Sequence, residues 1–235
     1  MSTTLSRRDF LKISAGASAV MGAASLGMAR SAAAAADPLY KISLAEWSIN
    51  QPLFQGQLQH LDFAKIAKGV GIDAIEYVNQ FFEDKAEDTA YLREMNTRAQ
   101  GEGVTQVLIM VDGEGNLGDP DAAKRQQAIE NHYKWVTAAK FLGAHTIRVN
   151  GYSEGTYEEQ MKLVADGMHR LAEFADGHGI NVVIENHGAY SSNGKWLVDT
   201  IRMADHPRAG TLPDFGNFRI SGPGRNNQDA PTVSY

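Results

Sequence analysis

The stretch Val182-Val183-Ile184-Glu185-Asn186-His187-Gly188 ends an apolar run with a carboxylate and, two residues on, an imidazole. Side chains alternate along a strand, so Glu185 and His187 point to the same side. A carboxylate at the end of a buried strand is costly unless it is paired or bound to a cation. Glu185 therefore reads in two ways: as a ligand and base in metal-assisted chemistry, or as one half of a salt bridge to a basic residue such as Arg148. A second carboxylate, Asp214, lies in Thr211-Leu212-Pro213-Asp214-Phe215-Gly216-Asn217-Phe218. It reads either as a turn residue beside Gly216 and Asn217 or as a second ligand. Neighbouring parallel strands lie under about 5 Å apart. Carboxylates ending adjacent strands on one face repel unless a divalent cation sits between them.

These residues need strands to carry them. Short apolar runs at Ile42–Ile49, Ala74–Val78, Thr105–Val111, Thr146–Asn150, Asn181–Glu185 and Gly210–Phe215 read as strands buried on both faces. Helical patterns lie between them. Asp119-Pro120 reads as an N-cap with proline in the first turn. Thr156 and Glu159 make a capping box, and behind it Tyr157, Met161, Val164, Met168 and Leu171 step by four and three as a core-facing stripe. Gly143 and Gly179 stand where helices must end.

Alternating strands and helices imply an α/β fold with a parallel sheet. A doubly wound sheet would place a glycine-rich turn after the first strand, where this chain has Asn50-Gln51-Pro52-Leu53-Phe54-Gln55. In an eight-unit barrel, functional residues project from the carboxyl ends of the strands. Trp47 and Asn50, Glu76 and Asn79, Asp112, Asn150 and Tyr152, Glu185 and His187, and Asp214 and Asn217 all fall there. The barrel is the favoured reading.

Composition narrows the function classes. With no cysteine among 235 residues, disulfides, thiolate zinc sites and cysteine nucleophiles are excluded, so any metal must be held by His, Asp, Glu or water. A net charge of −6 argues against nucleic acid or an anionic membrane as partner. Arg125, Lys134 and Lys140 read as a solvated helix face, and His60, His132, His145, His169, His178 and His206 as structural or exposed. No His-Glu-X-X-His motif occurs, which removes zincin chemistry.

The N-terminus reads as an address. Ser6-Arg7-Arg8-Asp9-Phe10-Leu11-Lys12 precedes a weakly apolar Ala/Gly/Ser stretch ending in Ala34-Ala35-Ala36. This resembles a bacterial Tat signal peptide over residues 1–36, cleaved to release a periplasmic or extracellular protein with no stable membrane insertion. A globular domain over 37–221 and an irregular tail over 222–235 follow.

Ile75-Glu76-Tyr77-Val78-Asn79, Arg148-Val149-Asn150-Gly151, Ile184-Glu185-Asn186-His187-Gly188 and Leu212-Pro213-Asp214-Phe215-Gly216-Asn217-Phe218 together resemble the sugar phosphate isomerase/epimerase family of xylose-isomerase-like TIM barrels. The resemblance runs from about Tyr40 to about Ser221 and implies a (β/α)8 barrel. It also implies a small carbohydrate substrate and a divalent metal, Mn²⁺ or Mg²⁺ before Zn²⁺. The family holds that metal with a Glu ending strand five, an Asp ending strand six, a His from strand seven and a Glu from strand eight. The first two correspond to Glu185 and Asp214. Glu185 is also the implied base, and Asn217 stands at a substrate-binding position of the family. From the residues themselves, His187 reads as a substrate contact, an orienter of Glu185 or a structural His, Trp47 as a pocket wall or plain core, Glu76 as a substrate contact or an ion-pair partner, and Asn150 as a pocket residue. In sugar epimerases of the family a His stands three residues after the strand-six Asp, where this chain has Asn217.

Only 18 residues follow Asn217, whereas two further βα units need about 60. The expectation is a barrel with about six of its eight units, an impaired isomerase or epimerase, and a tendency to self-associate through open sheet edges. Two other readings share the scaffold: a non-catalytic sugar- or partner-binding protein, and a metal-dependent hydrolase or lyase.

Overall fold

Six of the apolar runs become six strands, all parallel: β1 Leu44–Ala45, β2 Ala74–Val78, β3 Thr105–Met110, β4 Thr146–Asn150, β5 Asn181–Glu185 and β6 Ala209–Leu212. The computed structural model describes residues 40–218, so the leader and the 222–235 tail lie outside the described residues. The strand order is β1-β2-β3-β4-β5-β6, each new strand adding beside the one before. A doubly wound sheet reverses its order at a switch point; this sheet does not, and winds in one direction as a TIM barrel does. Among the described residues β1 pairs only with β2, and β6 only with β5.

Six helices connect and cover the strands: α1 Asn50–Phe54, α2 Phe63–Gly69, α3 Thr89–Glu102, α4 Ala122–Leu142, α5 Tyr157–Asp176 and α6 Gly194–Ala204. Their side of the sheet is the hydrophobic core. Ile147, Val149, Val182 and Ile184 are fully buried there with Trp135, Met168, Leu171 and Trp196. Alternation sends Arg148 and Asn150 of β4, and Val183 and Glu185 of β5, to the opposite face. The α5 stripe is confirmed: Val164, Met168 and Leu171 are buried, and Tyr157 and Met161 pack against that core.

Side chains cap the longer helices. Asp88 caps α3, Thr156 caps α5 through the complete capping box with Glu159, and Asn193 caps α6. Helix α4 departs from expectation, because its cap is Asp121 rather than Asp119. Asp119 Oδ1 instead accepts the Asp121 N–H at 2.9 Å, a side-chain turn that carries the chain past Pro120 before the helix begins. Gly143 ends α4 in the left-handed conformation with φ 75°, as its position predicts.

Three other expectations are corrected. The run Ile42–Ile49 keeps only two strand residues and turns into a 3₁₀ helix at Glu46–Ile49. Glu46 is fully buried and accepts from His60 Nδ1 at 2.7 Å and from the Val78 N–H at 3.0 Å, contacts that bend the chain out of the ladder. Strand β6 stops at Leu212 rather than Phe215, since Pro213 has no N–H for the ladder and Asp214 opens a turn closed by Asn217 N–H on the Asp214 carbonyl at 3.1 Å. Arg125 is no solvated side chain, for its Nε donates to Asp166 at 2.8 Å and joins α4 to α5.

One close approach braces the loop between β3 and α4. A Cβ on Gly167 of α5 would lie 2.0 Å from the Leu117 carbonyl oxygen, and one on Gly118 would lie 2.4 Å from Val164. With no side chain at either position, the loop lies directly on the helix, and Gly118 pairs with Ser153 as an isolated parallel bridge.

Candidate functional site

The carboxyl ends of the strands are tied by a repeated device. Asn186, the first residue after β5, donates from Nδ2 to the Asp214 carbonyl at 2.8 Å and accepts the Asp214 N–H on Oδ1 at 2.7 Å. Asn79, the first residue after β2, does the same to Asp112 at 2.8 and 3.0 Å. Each amide mimics one more peptide of the ladder beyond its end, and fixes an aspartate two residues past the next strand.

Arg148 of β4 occupies the centre. It is only 3% exposed. Its Nε and Nη2 both reach Glu185 Oε2, each at 2.5 Å, and its Nη1 donates to Asp112 Oδ1 at 2.8 Å. One guanidinium thus links the ends of β3, β4 and β5, with charge-assisted bonds that leave few of its donors free. Asn150, paired in register with Glu185, donates from Nδ2 to the same Asp112 oxygen at 2.6 Å. Its own Oδ1 is buried without a hydrogen-bond donor.

Glu185 and Asp214 meet at Asn217. The Nδ2 of Asn217 donates to Asp214 Oδ2 at 2.9 Å and approaches Glu185 Oε1 at 3.3 Å. The two acids therefore converge on one atom, the place a shared cation would take. The salt-bridge reading of Glu185 is the one seen: Oε2 pairs with Arg148, while Oε1 faces Asp214 across the Asn217 amide. Oxygen donors of this kind suit a hard divalent ion. Turning the Asn217 amide over would add its carbonyl oxygen to the two carboxylates, and Asn150 Oδ1 is a further unpaired oxygen at the same strand ends. These donors fit part of a cation's coordination shell; among the described residues no group of three or more His, Asp or Glu side chains gathers to complete it.

His187 lies exposed at the rim, where Tyr152 holds it: the Tyr152 hydroxyl is 3.1 Å from His187 Nδ1 and 2.9 Å from the His187 carbonyl oxygen. Burial raises the Tyr152 phenol above its ordinary range, with Arg148 pulling the other way. Among the described residues, Trp47 and Glu76 make no hydrogen bond to this group. Trp47 is 46% exposed and packs against Phe54 and Phe81, and Glu76 accepts from the Ser43 hydroxyl at 2.5 Å.

Asp112 and Tyr152 were legible as polar residues at strand ends and Arg148 as a possible partner of Glu185, whereas Asn186 was not singled out. What marks two of them is the offset: Asn directly after one strand and Asp two residues past the next, found twice.

Comparison with known proteins agrees with this architecture. Residues 64–233 match the xylose isomerase-like TIM barrel family, and residues 4–24 match the signal sequence of the twin-arginine translocation pathway, which directs export across a membrane. No curated protein matches. Among solved structures, D-psicose 3-epimerase with D-tagatose from Clostridium cellulolyticum H10 is 16% identical with a TM-score of 0.58, over 67% of this chain and 58% of that one. The probable 3-DHS dehydratase AsbF of Bacillus anthracis is 15% identical with a TM-score of 0.58, over 76% and 64%. The IOLI protein with a bound zinc atom is 14% identical with a TM-score of 0.62, over 77% and 65%. This chain spans about three-fifths of the length of such structures. No helix among the described residues is long and apolar enough to cross a membrane. With sequential parallel strands, carboxylates at their ends and a family match over most of its length, the chain belongs to the xylose isomerase-like TIM barrel family.

Proposed function

We propose that the protein is an exported, metal-assisted isomerase or epimerase that moves a proton at the carbon beside a carbonyl in a carbohydrate. The observation that supports this best is the convergence of Glu185 Oε1 and Asp214 Oδ2 on a single atom, Asn217 Nδ2, at 3.3 and 2.9 Å. A domain over 37–221, released from a leader over 1–36 and followed by a tail over 222–235, would work in the periplasm or outside the cell.

Glu185 and Asp214 would hold the divalent cation, Mn²⁺ or Mg²⁺ before Zn²⁺. When bound, such an ion stabilises negative charge that develops beside the reacting carbon. Arg148 fixes Glu185 by Oε2 and leaves Oε1 facing Asp214, and Glu185 would be the base that takes the α-proton. Asn150 Oδ1, His187 and Asn217 receive the sugar's hydroxyls. Trp47 and Glu76 belong to the β1–β2 side of the strand ends, where they would wall the sugar from solvent.

The test is deuterium incorporation from D₂O into a panel of ketoses, with the purified mature protein and Mn²⁺. Metal-dependent exchange that disappears in Glu185→Gln supports the reading; exchange that survives in that variant removes Glu185 as the base.

One observation favours a second reading, a sugar- or partner-binding protein without catalysis. Arg148 already pairs with both Glu185 and Asp112. Elemental analysis of protein purified without chelator separates the two, since the binder retains no stoichiometric divalent metal. Loss of water from the sugar instead of exchange would indicate lyase chemistry on the same scaffold.

A further inference from the structure

The Tyr152–His187 contact contains one proton too few for the simplest picture. A carbonyl oxygen only accepts, so the 2.9 Å contact to the His187 carbonyl uses the single phenolic proton of Tyr152. The 3.1 Å contact between the same phenolic oxygen and His187 Nδ1 is then a hydrogen bond only if Nδ1 carries a proton and donates. Both bonds form together in one arrangement: Tyr152 donates to the carbonyl and accepts from Nδ1–H. In a neutral imidazole that leaves Nε2 bare. Nε2 has no partner among the described residues, and the ring is exposed at the rim.

We propose that Tyr152 is a positioning residue that fixes His187 as the Nδ1–H tautomer, so that Nε2 offers a lone pair to a donor hydroxyl of a bound carbohydrate. This rests on the carbohydrate reading above for the identity of the donor, though not for the tautomer. The surroundings match such a ligand. Asn150 spends its Nδ2 on Asp112 and leaves Oδ1 buried without a donor. Arg148, the cation at the centre, is turned onto Asp112 and Glu185. The strand ends of β4 and β5 are therefore rich in acceptors and poor in free donors, which is the complement of a polyol. Burial holds the Tyr152 phenol above its ordinary range and so keeps the proton on which the arrangement depends.

The test is a long-range ¹H–¹⁵N correlation spectrum of the full chain labelled at histidine nitrogen, with His187→Gln used to assign the ring. The wild type is expected to show a protonated Nδ1 and a bare Nε2 at His187. Tyr152→Phe, which keeps the ring and removes the hydroxyl, is expected to lose that pattern while its melting curve stays cooperative. It should also weaken D-tagatose binding roughly 3- to 10-fold, the loss of one oriented hydrogen bond. A protonated Nε2 in the wild type, or an unchanged tautomer in Tyr152→Phe, overturns the proposal whatever the sugar does. If the wild type shows the expected tautomer but binds no sugar, the carbohydrate reading fails, and the assignment of a sugar hydroxyl as the donor fails with it.

Discussion

Asn186 and Asp214 hold each other by two hydrogen bonds, 2.8 Å from Nδ2 to the carbonyl and 2.7 Å from the N–H to Oδ1, although β6 has already ended. Asn186 is fully buried, and its amide sets where the second carboxylate of the site stands. Replacing it with Leu removes both bonds, leaving the Asp214 N–H without a partner and its carbonyl with only the Asn217 N–H. The expected cost is about 1–3 kcal/mol, read from urea unfolding. A larger effect on Mn²⁺ affinity than on stability is expected too, because Asp214 loses its anchor.

Arg148 offers a sharper comparison. Arg148→Met strands Glu185 and Asp112 without their counter-ion and should cost about 3–5 kcal/mol. Adding Glu185→Leu to that variant should recover a good part of the loss, since it removes one of the stranded charges. A double-mutant cycle in denaturant measures the coupling, and additive losses would show that the pair is not a unit.

Asn217 tests the cation directly. Asn217→Asp places a third carboxylate against Glu185 and Asp214. The metal-free variant should melt lower than the wild type by about 1–2 kcal/mol of stability. Saturating Mn²⁺ should then raise its melting temperature by more than it raises the wild type's, as a ligand that binds only the folded state must. Equal shifts, or none, would count against a cation between the two acids.

Stability should depend on pH through His132. It is buried in α4 and its Nδ1 contacts the Ala128 carbonyl at 2.7 Å; burial lowers its pKa below the usual 6.5. A lowered pKa means the unfolded chain binds the proton more readily. The stabilising contribution is present above pH 6.5 and is lost as pH falls toward the folded value. The slope should reach about 1.4 kcal/mol per pH unit for one proton. His132→Gln should flatten that slope, which denaturant titrations at several pH values would record.

At the alkaline end the Tyr91 phenol is pushed up to about 12, chiefly by burial and next by the Glu46 carboxylate. Its contribution is intact below the ordinary value of 10 and disappears as pH rises from 10 to about 12. Tyr91→Phe should therefore resist alkaline unfolding better than the wild type in that window, followed by far-UV circular dichroism.

Strands β2, β4 and β5 were legible residue for residue, because runs such as Val182-Val183-Ile184 are short and apolar and end at a glycine or a polar cluster. β1 was not. Glu46 leaves the ladder to meet His60 and the end of β2, and those partners lie 14 and 32 residues away, beyond any local pattern. The candidate site shows the same division. Glu185 and Asp214 announce themselves by their place at strand ends. Arg148 could be read only as one possible partner, since its identity as the link between three strands depends on which oxygens its fork reaches. Asn217 stood out as a departure from the family's histidine, but its position between two acids is a matter of three dimensions.

The bare backbones at Gly118 and Gly167 bear on how this molecule can be redesigned. The Gly118 N–H donates to the Tyr152 carbonyl at 3.2 Å, and the Ser153 hydroxyl returns a bond to the Gly118 carbonyl, so the segment that presents Tyr152 is clamped from behind. A library that randomises or lengthens residues 113–119 would unseat the phenol along with the loop. Substitutions around Trp47 and Phe54, where the chain is exposed, leave that clamp untouched.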